Sequence, residues 1–180
     1  MRAERETGGR QPSASDASAS SSGAHELLSR FADAVQAHDS KALAQLFTAD
    51  GCYDDGFFGL HTGREAIAAM LDRFHVGGES FFWQFHDPVF AADRGYARYV
   101  FSYRSREPES AGRIVVFAGI ACLRLRDGRI AEYREVFDRG VAFTQLGYAT
   151  PRIAKLLSRY AREFVATEEA QAHLRARPPG

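Results

Sequence analysis

At His75-Val76-Gly77-Gly78 the hydrophobic period of this chain changes from helical to strand-like, and that change limits what its 180 residues can fold into. Before it, apolar residues recur at the i, i+3, i+4 spacing of amphipathic helices. After it, β-branched and aromatic residues dominate, and turn signals recur at strand-length intervals. Helices first and hairpin-linked strands after describe one α+β domain.

The helical half divides in three. Leu27, Leu28, Phe31 and Val35 form the apolar stripe of a first helix, with Glu26, Arg30 and Asp33 on its other side. Ser40 is positioned to cap a short second helix on Leu43, Leu46 and Phe47, which Asp50-Gly51 ends. After an extended piece over 52–60, Thr62-Gly63-Arg64-Glu65 has capping-box spacing and opens a third helix on Ile67, Met70, Leu71 and Phe74. Strands follow near 80–91, 96–105, 113–126 and 129–138, and Asp127-Gly128 suits a two-residue type I′ hairpin between the last pair. Consecutive hairpins make an antiparallel meander. Thr150-Pro151 then starts a C-terminal helix with the stripe Ile153, Leu156, Leu157, Tyr160 and Phe164. The expected organisation is a disordered Ser- and Ala-rich tail over 1–23, a domain over 24–148, a helix over 149–166 and a flexible tail over 167–180.

Composition narrows the partners. Hydrophobic residues make up 45% of the chain, enough for one substantial core, and 23 Lys and Arg balance 23 Asp and Glu. Without a net field or a long single-sign run, neither nucleic acid nor an anionic membrane surface is expected as a partner. No stretch approaches the roughly 18 apolar residues a membrane span needs. Cys52 and Cys122 stand apart, with no CxxC or His-rich cluster, so they read as buried free thiols in the reducing cytoplasm and no metal site is expected. No phosphate-binding glycine loop or Ser-His-Asp order is present, and no cofactor is expected.

The run Gly128-Arg129-Ile130-Ala131-Glu132-Tyr133-Arg134-Glu135-Val136-Phe137-Asp138 closing the meander, Leu46-Phe47-Thr48-Ala49-Asp50-Gly51 leading into the first strand, Thr62-Gly63-Arg64-Glu65-Ala66-Ile67 opening the third helix, and Gln145-Leu146-Gly147 after the last strand together resemble the nuclear transport factor 2-like superfamily. The SnoaL-like branch is the most similar, over roughly residues 24–148. The resemblance implies a cone: three N-terminal helices packed in a curved antiparallel sheet with a pocket at the open end, to which this chain adds a C-terminal helix. It also implies acid and base side chains working without a cofactor, though the superfamily spans isomerases, cyclases, epoxide hydrolases, dehydratases and non-catalytic modules.

If Asp127-Gly128 closes a two-residue turn, Arg126 faces Arg129, and counting back sets Cys122 beside Tyr133, Ile120 beside Glu135 and Ala118 beside Phe137 on one apolar face. A carboxyl there loses hydration, its pKa moves toward neutrality, and it becomes a candidate general acid or base. The resemblance also puts a catalytic Asp of the cyclases and epoxide hydrolases at the position of Glu135. The competing reading pairs Glu135 with Arg98 or Arg104 in a buried ion pair. In the extended segment, Tyr53 and Asp55 point one way and Asp54 the other. Tyr53 and Asp55 resemble the water-holding Tyr and Asn of the epoxide hydrolases; the alternative is that the acids of this cluster are turn or cap residues before Gly56. His61 is a candidate at the pocket mouth and His86 a weaker one. Trp83, Tyr133 and Phe137 are the expected substrate-binding walls, with Tyr99, Phe101, Tyr103 and Phe117 as further lining or plain sheet core. Asp138 is expected to fix the loop after the last strand.

These readings describe a small-molecule pocket protein. The leading version is a cofactor-independent enzyme using Glu135, Asp55 and His61 for proton transfer on a small apolar carbonyl or polyketide-like compound. The alternative is a non-catalytic ligand- or partner-binding module, and a purely structural dimerisation domain would leave no open cavity beside Glu135. A homodimer is expected, through an outward patch of Leu123, Leu125 and Ile130.

Overall fold

A computed structural model of the chain describes residues 14–178. Helix α1 (Ala14–Gln36) begins inside the expected tail, which is corrected from Ala14 onward; residues 1–13 lie outside the described residues, as do 179–180. Ala14, Ala17, Ala19 and Ala24 carry the highest helix propensity, which favours this extension of the amphipathic part. Helix α2 (Ser40–Gln45) is capped by Asp39, which accepts from the Ala42 N–H at 2.8 Å, not by Ser40. Asp50-Gly51 does not end it, because both residues lie inside strand β1 (Phe47–Asp55).

Strand β2 (Gly59–Thr62) folds back on β1 and leads to α3 (Arg64–Gly77). The expected capping box is absent. Thr62 pairs with Cys52 in the β1–β2 ladder, the N-cap is Gly63, and no side chain caps the helix. Four long strands follow: β3 (Gly78–Ala91), β4 (Arg94–Ser105), β5 (Ile114–Arg126) and β6 (Arg129–Phe137). At the β5–β6 turn, Asp127 (φ +52°) and Gly128 (φ +70°) are both left-handed, as a type I′ hairpin requires.

The sheet order is β2-β1-β6-β5-β4-β3, antiparallel throughout except that β1 runs parallel to β6. Helix α1 lies across the inner face. Phe31, fully buried, stacks on Tyr133 with ring centroids 4.7 Å apart and meets the edge of Trp83 at 5.4 Å. Burying such a ring contributes about 2 kcal/mol, and the large aromatic residues of β3 to β6 do the same. The core is thus largely aromatic.

One irregularity resets the register. Arg126 faces Arg129 and Leu125 faces Ile130, but Arg124 then faces Glu132, leaving Ala131 unopposed in a β-bulge. A strict two-residue period would bury Glu132 along with Ile130. The extra residue turns Glu132 outward and lets both Ile130 and Tyr133 reach the core. Glu135 therefore faces Ala121, not Ile120, and its inner-face neighbours are Leu123, Tyr133 and Phe137, while Ile120 and Cys122 point outward. The expected dimer patch falls with that register, because Leu123 and Ile130 are buried.

Beyond β6 the chain forms α4 (Arg139–Gln145), α5 (Thr150–Val165) and α6 (Glu168–Ala176). Asp138 caps α4, accepting from the Gly140 N–H at 2.8 Å. Gln145 then takes the place of a missing strand: its amide accepts from the Val116 N–H at 2.9 Å and donates to the Val116 carbonyl at 2.7 Å. Helix α5 keeps Pro151 in its first turn, but its N-cap is Ala149 without a side-chain bond. The expected flexible tail is corrected over 168–176, where Thr167 caps α6 through the Ala170 N–H at 3.2 Å. Both cysteines are free and half-buried.

Candidate functional site

Glu135 enters the interior from β6, two residues after Tyr133 on the same inner face, and is 8% exposed. Tyr53 of β1 donates to its Oε1, and Tyr99 of β4 donates to its Oε2 at 3.2 Å. Gly119 makes the second bond possible, since a Cβ there would sit 2.5 Å from the Tyr99 hydroxyl. The ion-pair reading does not hold. Arg98 pairs with Asp87 and Arg104 with Glu79, both at the surface, and among the described residues no cation is paired with Glu135.

Burial pushes the Glu135 carboxyl well above the usual carboxylate range, and the nearby Asp55 charge adds to the rise against the lowering hydrogen bonds of Tyr53 and Tyr99. The interior therefore favours the neutral acid. Burial raises Tyr99 and Tyr133 as well, so both remain phenols.

Asp55, 7% exposed, also points inward. Its Oδ1 accepts the N–H groups of Phe57 and Phe58, each at 2.7 Å, so the turn-acid reading is correct as far as it goes. Burial raises its pKa as well, while these two donors, His61 and Arg139 pull it down. The two buried carboxyls thus differ in kind. Glu135 meets only phenolic hydroxyls, whereas Asp55 has backbone donors and nearby basic groups that support an anion. Asp54 points outward to Arg134 at 3.1 Å, as the alternation requires.

His61 pairs across the ladder with Tyr53, and its Nε2 is buried without a hydrogen-bond partner. Trp83 Nε1 and the Tyr133 hydroxyl are likewise buried and unpartnered. Phe137 sits farther out, stacked on Phe117 at 4.5 Å and edge-on to Phe57 at 4.9 Å. The sequence-derived site residues therefore gather in and around one interior, apart from His86, which faces Arg98 on β4 and borders a groove against α1. Sequence reasoning missed Tyr99 as a partner of Glu135, and it missed Arg139 altogether. Tyr99 was legible only as an inward aromatic residue of β4; its reach to β6 depends on Gly119 between them.

Space is scarce. The cavity lined by Tyr53, Asp55, Met70, Leu71 and Trp83 has a volume of about 10 Å³, which is room for one water. Phe57, Phe117, Phe137 and Phe143 pack into a separate aromatic cluster beside the β1–β2 turn. Among the described residues no cluster of three or more His, Cys, Asp or Glu is placed to hold a metal, and no helix is long and apolar enough to cross a membrane.

The SnoaL-like domain model matches residues 28–133. No curated protein matches the chain. In fold it is similar to a hypothetical protein with a ketosteroid isomerase-like fold from Catenulispora acidiphila DSM 44928, solved with trimethylamine, at 24% identity over 69% of this chain and 94% of that one, with a TM-score of 0.64. An LEH-like epoxide hydrolase from M. tuberculosis is similar at 20% identity over 69% and 90%, TM-score 0.58. A candidate polyketide cyclase from Xanthomonas campestris pv. campestris is similar at 24% identity over 69% and 97%, TM-score 0.58.

Proposed function

The chain belongs to the SnoaL-like domain family, and from that premise we propose that it is a cofactor-independent enzyme moving protons on a small, largely apolar carbonyl compound. One observation carries this reading: a buried, cation-free Glu135 held by Tyr53 and Tyr99 stands near a second buried carboxyl, Asp55, which burial also raises but which two backbone N–H donors, His61 and Arg139 pull back toward the anion. Environments that separate two carboxyls in this way divide the roles of acid and base.

In the proposed reaction Asp55 takes a proton from the carbon beside the substrate carbonyl. The electron pair moves to the carbonyl oxygen, which Glu135, as the neutral acid, stabilises by donating a hydrogen bond. Return of the proton to a different carbon completes an isomerisation, and departure of a β-leaving group completes a dehydration or elimination. His61 and Tyr133 orient the substrate, and Trp83 and Phe137 form its apolar walls. The reading includes a homodimer and a place in the reducing cytoplasm, the latter supported by the two free thiols.

A second reading, a non-catalytic or purely structural module, is favoured by the cavity of about 10 Å³, which holds no substrate in the closed form. Solvent-deuterium exchange at the acidic carbons of a panel of small ketones separates the two. The enzyme reading expects exchange above background, reduced by about 10²-fold or more in Glu135→Gln, which keeps the shape and removes the acid. Exchange that is absent throughout the panel, or undiminished in the variant, contradicts it.

A further inference from the structure

We propose that the β1–β2 turn is a gate to the interior, with Phe57 as its stopper and Arg139 as a latch that the C-terminal helix α5 holds shut. The inference rests on the enzyme reading above, since a substrate needs a way in. Residues of three separate elements meet at Arg139. Its guanidinium donates to the Gly56 carbonyl in the turn, lies over the Tyr160 ring of α5 at 4.2 Å, and reaches the Phe137 ring at 6.0 Å. Phe57, next to the cavity-lining Asp55, packs against Phe117, Phe137 and Phe143 at centroid distances of 6.0, 4.9 and 5.7 Å.

On its other side the turn touches α3, where Phe58 meets the edge of Phe74 at 6.0 Å and lies under the Arg73 guanidinium at 5.6 Å. Phe57 and Phe58 are bonded through their N–H groups to Asp55 Oδ1, a bond internal to the turn. Swinging the turn outward therefore requires breaking the Arg139 bond to Gly56, withdrawing the Phe57 ring and sliding the Phe58 ring off Phe74 and Arg73. Asp55 holds the turn together and is also the proposed base, so the gate and the base are adjacent parts of one segment. Helix α5 lies beyond residues 28–133, the family-matched span. Arg139 is a positioning residue here and takes no part in proton transfer.

Trp83, the chain's only tryptophan, is 5% exposed and lines the interior cavity, so its fluorescence reports access without any turnover. The experiment is acrylamide quenching of the full-length protein and its variants, with circular dichroism confirming the fold. Trp83 also borders the groove between α1 and β3, a route these substitutions leave alone, so that contribution is common to all samples. Phe57→Ala, which removes the stopper, should raise the quenching constant. Arg139→Met should raise it by about threefold or more, the scale set by losing a cation–π contact and a charged hydrogen bond. Tyr160→Leu, which keeps apolar contact but removes the π face, should raise it less, and Arg139→Lys should return it part of the way. Should Arg139→Met fail to fold, Tyr160→Leu, an apolar replacement at a half-buried position, decides the matter alone.

An unchanged constant in Phe57→Ala overturns the gate. A raised constant there with wild-type values in the folded latch variants overturns the latch. A chain that passes the quenching test yet exchanges no ketone proton overturns the acid–base reading and leaves the gate standing.

Discussion

A carboxyl buried with no cation is held by whatever hydrogen bonds reach it, and for Glu135 these come from two phenols on strands far apart in sequence. The Tyr99 bond depends on a missing side chain at Gly119. Tyr99→Phe removes the bond and should lower stability by about 1 kcal/mol in urea unfolding. Gly119→Ala drives a methyl into the same hydroxyl and should cost about 1–3 kcal/mol. Because Tyr99→Phe removes the nearest of the atoms this methyl meets, the double variant should be somewhat more stable than the sum of the singles implies, the Tyr99 Cζ and Val136 carbonyl contacts remaining. Strict additivity would contradict the contact. Glu135 itself was legible in the sequence, since Tyr133-x-Glu135 shares a face whatever the pairing. Its partners were not, because they depend on long-range register. Arg139 carried no signal, as a single Arg at a strand end becomes a latch only when a turn and a distant helix converge on it.

The strand limits were readable from the alternation of β-branched and aromatic residues, and the hairpin from Asp127-Gly128, whereas the bulge at Ala131 was not. A bulge is a compromise between a two-residue period and a core that needs Ile130 and Tyr133 together, and sequence alternation alone does not show which one yields. Caps failed for a similar reason, as Thr62 was already engaged in pairing and Asp39 preceded the expected Ser40. The corrected register relocates the proposed dimer surface. Phe82, Val116, Ile120 and Val136 lie on the outer face of β3, β5 and β6 and are about half exposed. A sheet with one bare apolar face is commonly covered, and a second copy of the same face is the proposed cover. Sedimentation velocity should find a dimer at micromolar concentration, and Ile120→Lys should shift it to monomer, because a buried unpaired charge is strongly unfavourable there. A monomeric parent chain, or a variant that remains dimeric, would contradict this surface.

For the whole molecule, helices followed by the four strands β3 to β6 and an aromatic core follow from the period change at His75-Val76-Gly77-Gly78 together with hairpin chemistry, whereas the separate strand β2 does not. The near-absence of interior space does not, since cavity volume depends on how side chains interleave. The central claim, that folding holds Glu135 as a neutral acid, is linked to the stability of the entire chain. Its pKa in the folded state is raised above the ordinary value of 4.5, so the folded chain keeps a proton that the unfolded chain releases. The contribution of Glu135 is therefore fully present below that value and is lost as pH rises toward the folded-state pKa. Glu135→Gln has no proton to hold and lacks this loss. The most direct test is urea unfolding of the parent and Glu135→Gln from about pH 5 to about pH 8, where linkage limits the change in their difference to about 1.4 kcal/mol per pH unit. The expected result is that the variant gains on the parent steadily as pH rises, while two stability curves that stay parallel across the range would contradict a neutral Glu135.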